Sequence, residues 1–167
     1  MQQPANHPLF DASVPTFVMF LEALERLLDK AAASDIPEVR IIEARLAPDM
    51  HSFPRQIQIA TDMAKLGIAR LTDREAPSWP DTETTLAELK ERVATALAYV
   101  SAVSPASFEG SEARTIELKA SGRDLRFDGA GYLHRFCLPN FYFHLTTAYA
   151  LLRREGLAIG KPDFFGV

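Results

Sequence analysis

Apolar residues recur at helical spacing in four long stretches of this chain, and they alternate with polar residues in only one short segment. A face that repeats every three to four residues buries itself as a helix, whereas a period of two belongs to a strand with one covered side. The pattern restricts the fold to packed helices with a single small sheet. In the first stretch Phe17, Leu21, Leu24, Leu28 and Ala31 form a stripe that Phe20 and Leu27 widen. Ser13 reads as its N-cap, Pro15 as a first-turn residue, and Ser34-Asp35-Ile36-Pro37 as its end. Glu38 to Leu46 reads as a short helix closed by Pro48. The second long helix starts near Ser52, with Pro54 in its first turn, and runs to about Leu71. Ile57, Ala60, Ala64 and Ile68 make its apolar stripe, and Arg55, Gln58, Asp62 and Lys65 make a polar stripe facing water.

Asp73 to Asp81 is a loop around the only tryptophan, Trp79. Thr85-x-x-Glu88 then has the form of a capping box. Leu86, Leu89, Val93, Ala96 and Val100 continue it as a helical seam that ends at Pro105. The period changes at Thr115. With Ser121-Gly122 as turn centres, counting pairs Leu118 with Leu125 and Ile116 with Phe127 on one face, and Glu117 with Arg126 and Lys119 with Asp124 on the other. The last helical region runs from about Gly131 to Arg154, with a kink or break expected at Pro139 and Gly156 as its terminator. Residues 157–167 read as an extended tail anchored by Phe164 and Phe165. These elements predict a mainly α, single-domain chain over residues 1–167: a four-helix bundle with a hairpin inserted before the last helix.

Composition narrows the function classes. The 167 residues suffice for one ordinary core, and 18 Lys+Arg against 22 Asp+Glu give a net charge of −4, which argues against nucleic acid as a partner. The single cysteine, Cys137, allows no internal disulfide. Met1 to His7 lacks a basic-then-apolar leader, and no apolar run approaches the roughly 20 residues that span a bilayer, so a cytoplasmic location is expected and no membrane partner.

No phosphate loop, Gly-x-Ser-x-Gly elbow or His-Glu-x-x-His is present. The chemistry therefore rests on four histidines, Asp62 and Cys137. His144 lies in the aromatic segment Asn140-Phe-Tyr-Phe-His144, one turn from Asn140 on the same helix face. It reads either as a pocket ligand or base, or as a core histidine hydrogen-bonded to Asn140, Thr147 or another helix. His51 enters the second helix and stands near the bundle mouth or in solvent. Asp62 either anchors His144 or Arg135, or pairs with Lys65 on the surface. Gln58 and Tyr149 complete the candidate pocket. His134 falls about 15 Å from His144 on a continuous helix, too far to share an ion, and His7 reads as solvated. Cys137 is either a thiol activated by His134 or Arg135, or a small buried hydrophobe.

Several segments together resemble a bacterial family of unassigned function within the DinB/YfiT-like superfamily. They are Asp11-Ala-Ser-Val-Pro15, Ala44-Arg-Leu-Ala-Pro-Asp-Met50, Gln56-Ile-Gln-Ile-Ala60, Asp81-Thr-Glu-Thr-Thr85, Leu138 to Tyr149 and Gly160 to Gly166. The resemblance implies a bundle that is often dimeric. It also implies, in many members, a divalent metal held by one histidine on the second helix and a His-x-x-x-His pair on the last, and in some members thiol-dependent transfer or isomerisation. Here His144 matches the second histidine of that pair, Asn140 stands in place of the first, and Phe53 to Leu71 contains no histidine. Amide oxygens are weak ligands for zinc or nickel. The expectation is a degenerate metal site with no resident cofactor. If zinc or nickel binds at all, His144 would hold it with Asp62 or His51. The chain would then act as a small-molecule binder or structural homodimer, and the alternative is a metal- or thiol-dependent transferase using the His144 pocket.

Overall fold

A computed structural model describes residues 7–167. The leader reading of residues 1–6 lies outside them. Helix α1 runs Pro8–Ala32, a short α2 Glu38–Glu43, α3 Phe53–Leu71 and α4 Leu86–Ser101. A 3-10 turn at Pro105–Phe108 leads to strands β1 (Ile116–Ala120) and β2 (Arg123–Phe127). Then α5 (Gly129–Tyr132) passes through a π-helical turn, Leu133–Cys137, into α6 (Leu138–Arg154), and α7 (Lys161–Phe165) closes the chain. The architecture is the expected bundle: α1 packs on α4, α4 on α3 and α3 on α6, while α7 lies along α1. Its core joins Phe17, Leu21 and Leu24 of α1, Ile57 and Ile68 of α3, Val93 of α4, and Phe141 and Leu145 of α6. Each large apolar side chain buried this way contributes about 1.5–3 kcal/mol. Among the described residues no helix is long and apolar enough to cross a membrane.

The capping box forms as read. Thr85 accepts the Glu88 amide at 3.2 Å, and the Glu88 carboxylate accepts the Thr85 amide at 3.0 Å. The start of α4 is further fixed by Glu38, whose carboxylate accepts the Leu86 amide at 2.6 Å and ties α2 to it. The hairpin has the counted register at all four pairs. Ser121 and Gly122 both take positive φ, 51° and 74°, as a two-residue turn with matching twist requires. Its inner face covers the bundle: Ile116 is buried, and Phe127 packs on Tyr132 and Phe136 at 6.3 and 5.9 Å.

Five local expectations are corrected. Helix α1 starts at Pro8, not after Ser13, with His7 as N-cap, because Pro8 supplies the same first-turn signal earlier. Ser13 is inside the helix, with its hydroxyl on the Leu9 carbonyl. His7 is not solvated: it packs beside Phe108 and lies 3.5 Å from the Glu112 carboxylate. Helix α2 stops at Glu43, since the Ala44 carbonyl turns away to accept the Phe53 amide. At Pro139 the helix does not break. The Leu138 amide bonds to Leu133, five residues back, and the widened turn absorbs the missing donor. The tail is helical rather than extended, because Pro162 sits in the first turn of α7 and Asp163 accepts the Gly160 amide at 2.7 Å.

The π-helical turn brings Cys137 against Gly67 of α3, where an added β-carbon would stand 2.7 Å from the Cys137 sulfur and 3.3 Å from Phe17. Gly67→Ala is expected to cost about 1–3 kcal/mol by overpacking. Urea unfolding would show a lowered midpoint with an unchanged slope, and Cys137→Ala in the same chain would restore part of it.

Candidate functional site

Helices α3 and α6 pack face to face, and their polar contact is made by two residues. The His144 Nδ1 lies 2.7 Å from Gln56 Oε1. Gln56 is buried on the first turn of α3, and its amide nitrogen donates to the His51 carbonyl at 3.1 Å. That second bond orients the amide: the nitrogen points to His51, so the oxygen points to His144 and must accept from an Nδ1–H. The imidazole is thereby assigned as the neutral Nδ1–H tautomer. Burial pushes its pKa down to about 4, and the nearby His51 and Arg55 charges push the same way.

Of the other candidates, only His51 belongs to this place, and it contributes its main-chain carbonyl while its side chain is exposed. Asn140 shares the face but donates to the Phe136 carbonyl of its own helix at 2.7 Å, within the turn that Pro139 leaves short of donors. Tyr149 packs edge-on to Phe164 of α7 at 5.6 Å. Asp62 reaches neither His144 nor Arg135. Its carboxylate lies 2.8 Å from the Lys65 ammonium and 3.0 Å from Arg92 of α4.

The polar stripe of α3 therefore does not face water. Gln58, Thr61 and Lys65 are buried with Arg92 beneath the segment joining α3 to α4. The Arg92 side chain is 3% exposed. Its Nε donates to the Thr61 hydroxyl at 2.8 Å, one terminal nitrogen meets Glu83 at 3.0 Å and the Pro80 carbonyl at 3.1 Å, and the other meets Asp62 at 3.0 Å and Asp81 at 3.1 Å. Burial opposes the charge of Glu83, yet hydrogen bonds from Arg92 and Gln58 hold its carboxyl below the usual range. Lys65 sits 4.4 Å over the Trp79 ring. Sequence reasoning missed both Gln56 and Arg92. Each left a signal: Gln56 is one turn before the core residue Ala60, and Arg92 is one turn before the core residue Ala96.

Cys137 is fully buried, and burial raises its thiol to about 12, so it is packing rather than nucleophile. His134 and Arg135, its proposed activators, are exposed; the cation near it is Arg70, which donates to the Tyr132 hydroxyl at 3.0 Å.

A three-histidine metal does not fit this donor set. Where the resemblance implies imidazoles, α3 presents the Gln56 amide, already bonded to His144, and α6 presents the Asn140 amide, already bonded to Phe136. Among the described residues no group of three His, Cys, Asp or Glu side chains converges. Comparison with known proteins agrees on kinship. The family model described as a domain of unknown function, DUF1993, matches residues 9–165. A DinB family member protein from Shewanella denitrificans, solved by crystallography, is 39% identical with a TM-score of 0.83, over 95% of this chain and 92% of that chain. No curated protein matches. The chain belongs to the DUF1993 family and is DinB-like.

The depressed His144 pKa has a definite sign. The folded protein holds the ring neutral down to about pH 4, whereas the unfolded chain takes up the proton near pH 6.5. The stability this confers is complete above pH 6.5 and is lost as pH falls from there through 4. NMR titration should find the His144 ring unprotonated at pH 5.5, and His144→Gln should flatten the loss of melting temperature between pH 6.5 and 4.

Proposed function

We propose that this chain is a DinB-like bundle in which the position of the superfamily's metal has become a structural hydrogen bond. It would act by binding, as a homodimer with a small-molecule ligand, through the α6 face that carries His144. The observation that supports this reading is the Gln56–His144 contact of 2.7 Å, which uses the imidazole to join α3 to α6. Beside it, Tyr142 and Phe143 are 36% and 57% exposed, an apolar surface of the kind that a second subunit covers. The dimer is what the family resemblance implies. The reading takes residues 1–167 as a single domain in the cytoplasm, with neither nucleic acid nor membrane as partner.

A transferase using His144 as general base is the weaker reading. A base held at a pKa of about 4 has little proton-abstracting power near neutral pH. Among the described residues no group of three His, Cys, Asp or Glu side chains gathers at His144, which likewise weakens a zinc- or nickel-dependent version.

Two measurements decide the reading. Protein purified without a polyhistidine tag is expected to carry only trace zinc, nickel or iron. Stoichiometric metal that disappears in His144→Ala would overturn the metal-free assignment. Light scattering on a sizing column is expected to give twice the chain mass, falling to one chain mass in Phe143→Asp with the helical circular dichroism retained. A wild-type monomer would remove the homodimer from the proposal.

A further inference from the structure

The segment between α3 and α4 is a strap with an unusual attachment. Residues 74–84 have no regular secondary structure. Among the described residues no main-chain to main-chain hydrogen bond ties Glu75 to Glu83 to the bundle; the nearest such anchor is Arg74 to Ala69. The strap is held instead by side-chain contacts, chiefly two carboxylates, and by the Pro80 carbonyl, which accepts from Arg92 at 3.1 Å. Asp81 meets Arg92 at 3.1 Å and pairs with Arg55, while Glu83 meets Arg92 at 3.0 Å and accepts from the Gln58 amide at 2.9 Å. Trp79, under Lys65 and edge-on to Tyr99 at 6.1 Å, adds the apolar contact.

The groove under the strap is built as an anion cradle. Arg55, Lys65 and Arg92 supply three cations, and the groove's own carboxylate is Asp62 alone. Arg92 offers its planar fork outward, Gln58 offers an amide N–H, and Thr61 fixes the guanidinium by accepting from its Nε. Without Asp81 and Glu83, Asp62 would be the one carboxylate left to face the three cations, and Arg92, whose side chain is 3% exposed beneath the strap, would keep a single acidic partner. Excess positive charge in a partly buried cluster is unfavourable, so the groove favours an acidic occupant. Apolar residues of similar volume would hold a strap at least as firmly. Carboxylates instead present the same chemistry that a free oxyanion would bring to these cations. The adjoining cavity of about 270 Å³ is rimmed by Glu83, Glu88 and Glu91, so it is not itself an anion seat.

We propose that the α3–α4 groove is a binding site for a small oxyanion, a phosphate or polycarboxylate, which Asp81 and Glu83 of the strap occupy as an internal stand-in. The strap and the ligand compete for Arg92, Arg55 and Gln58. The site is separate from the α6 face, and the proposal stands or falls independently of the metal and dimer readings.

The test frees the cradle. In Asp81→Asn/Glu83→Gln, inorganic phosphate or citrate at about ten times its dissociation constant is expected to raise the melting temperature by roughly 3–6 °C over chloride at matched ionic strength. The wild type, in which the strap competes, is expected to show a smaller but measurable difference, and Arg55→Gln added to the double variant is expected to reduce it. Fluorescence of Trp79, the only tryptophan, should lie to the red of wild type in the double variant, reporting a lifted strap. If the double variant does not fold, Asp81→Asn alone is used, since Arg92 then keeps two carboxylates, and the same comparison decides. A folded variant that phosphate and citrate stabilise no more than chloride overturns the proposal. So does an equal shift in wild type and variant, which would place the anion elsewhere. A response to phosphate alone or to citrate alone assigns the ligand class.

Discussion

Helix α3 turns much of its polar stripe toward other protein groups: Gln56, Gln58, Thr61 and Lys65 are all buried. It packs on α6 along one side and on α4 along another. Every polar side chain it turns inward must be satisfied by a neighbour, or the desolvation cost stands. Two contacts meet that demand. Gln56 bonds to His144 across the α6 interface, and Gln58, Thr61, Asp62 and Lys65 gather around Arg92 and the strap across the α4 interface. The relative placement of three of the four long helices depends on these buried polar groups as well as on apolar packing.

The two contacts also divide the molecule chemically. On the α6 side the bonding is neutral: an amide, an Nδ1–H imidazole and a main-chain carbonyl. Burial lowers the basicity of His144 there, and the contact uses the amide that would have to leave for a metal to find a second ligand on α3. On the α4 side the bonding is ionic, with three cations and three carboxylates in one cluster. Charges in a partly buried cluster attract each other strongly, and here they join α3, α4 and the strap.

Much of the scaffold was legible in the chain. Thr85-x-x-Glu88 caps α4 because both partners of a capping box lie within four residues of each other. Ser121-Gly122 sets the hairpin register because a two-residue turn leaves no freedom once its centres are known. At Pro139 the outcome was not legible, for the opposite reason. Whether a mid-helix proline breaks a helix depends on whether neighbours can support a wider turn, and here Asn140 and the packing of Cys137 on Gly67 do so. The site was only half legible. His144 stood out by its aromatic context, but Gln56 and Asp62 are six residues apart on one helix, and periodicity does not tell which of them meets α6 and which meets α4.

The sequence by itself determined four amphipathic helices, one hairpin in a single register, the scarcity of histidine and the kinship that follows from its segments. These are local properties, decided by residues within a turn or two of each other. The tertiary structure decided the partners: Gln56 rather than Asn140 for His144, Arg92 rather than water for Asp62, and the strap carboxylates for Arg92. Those contacts join residues separated in sequence by as many as 88 positions. They depend on how α3 is rotated between its two neighbours, and that rotation is set by the packing of all the helices at once.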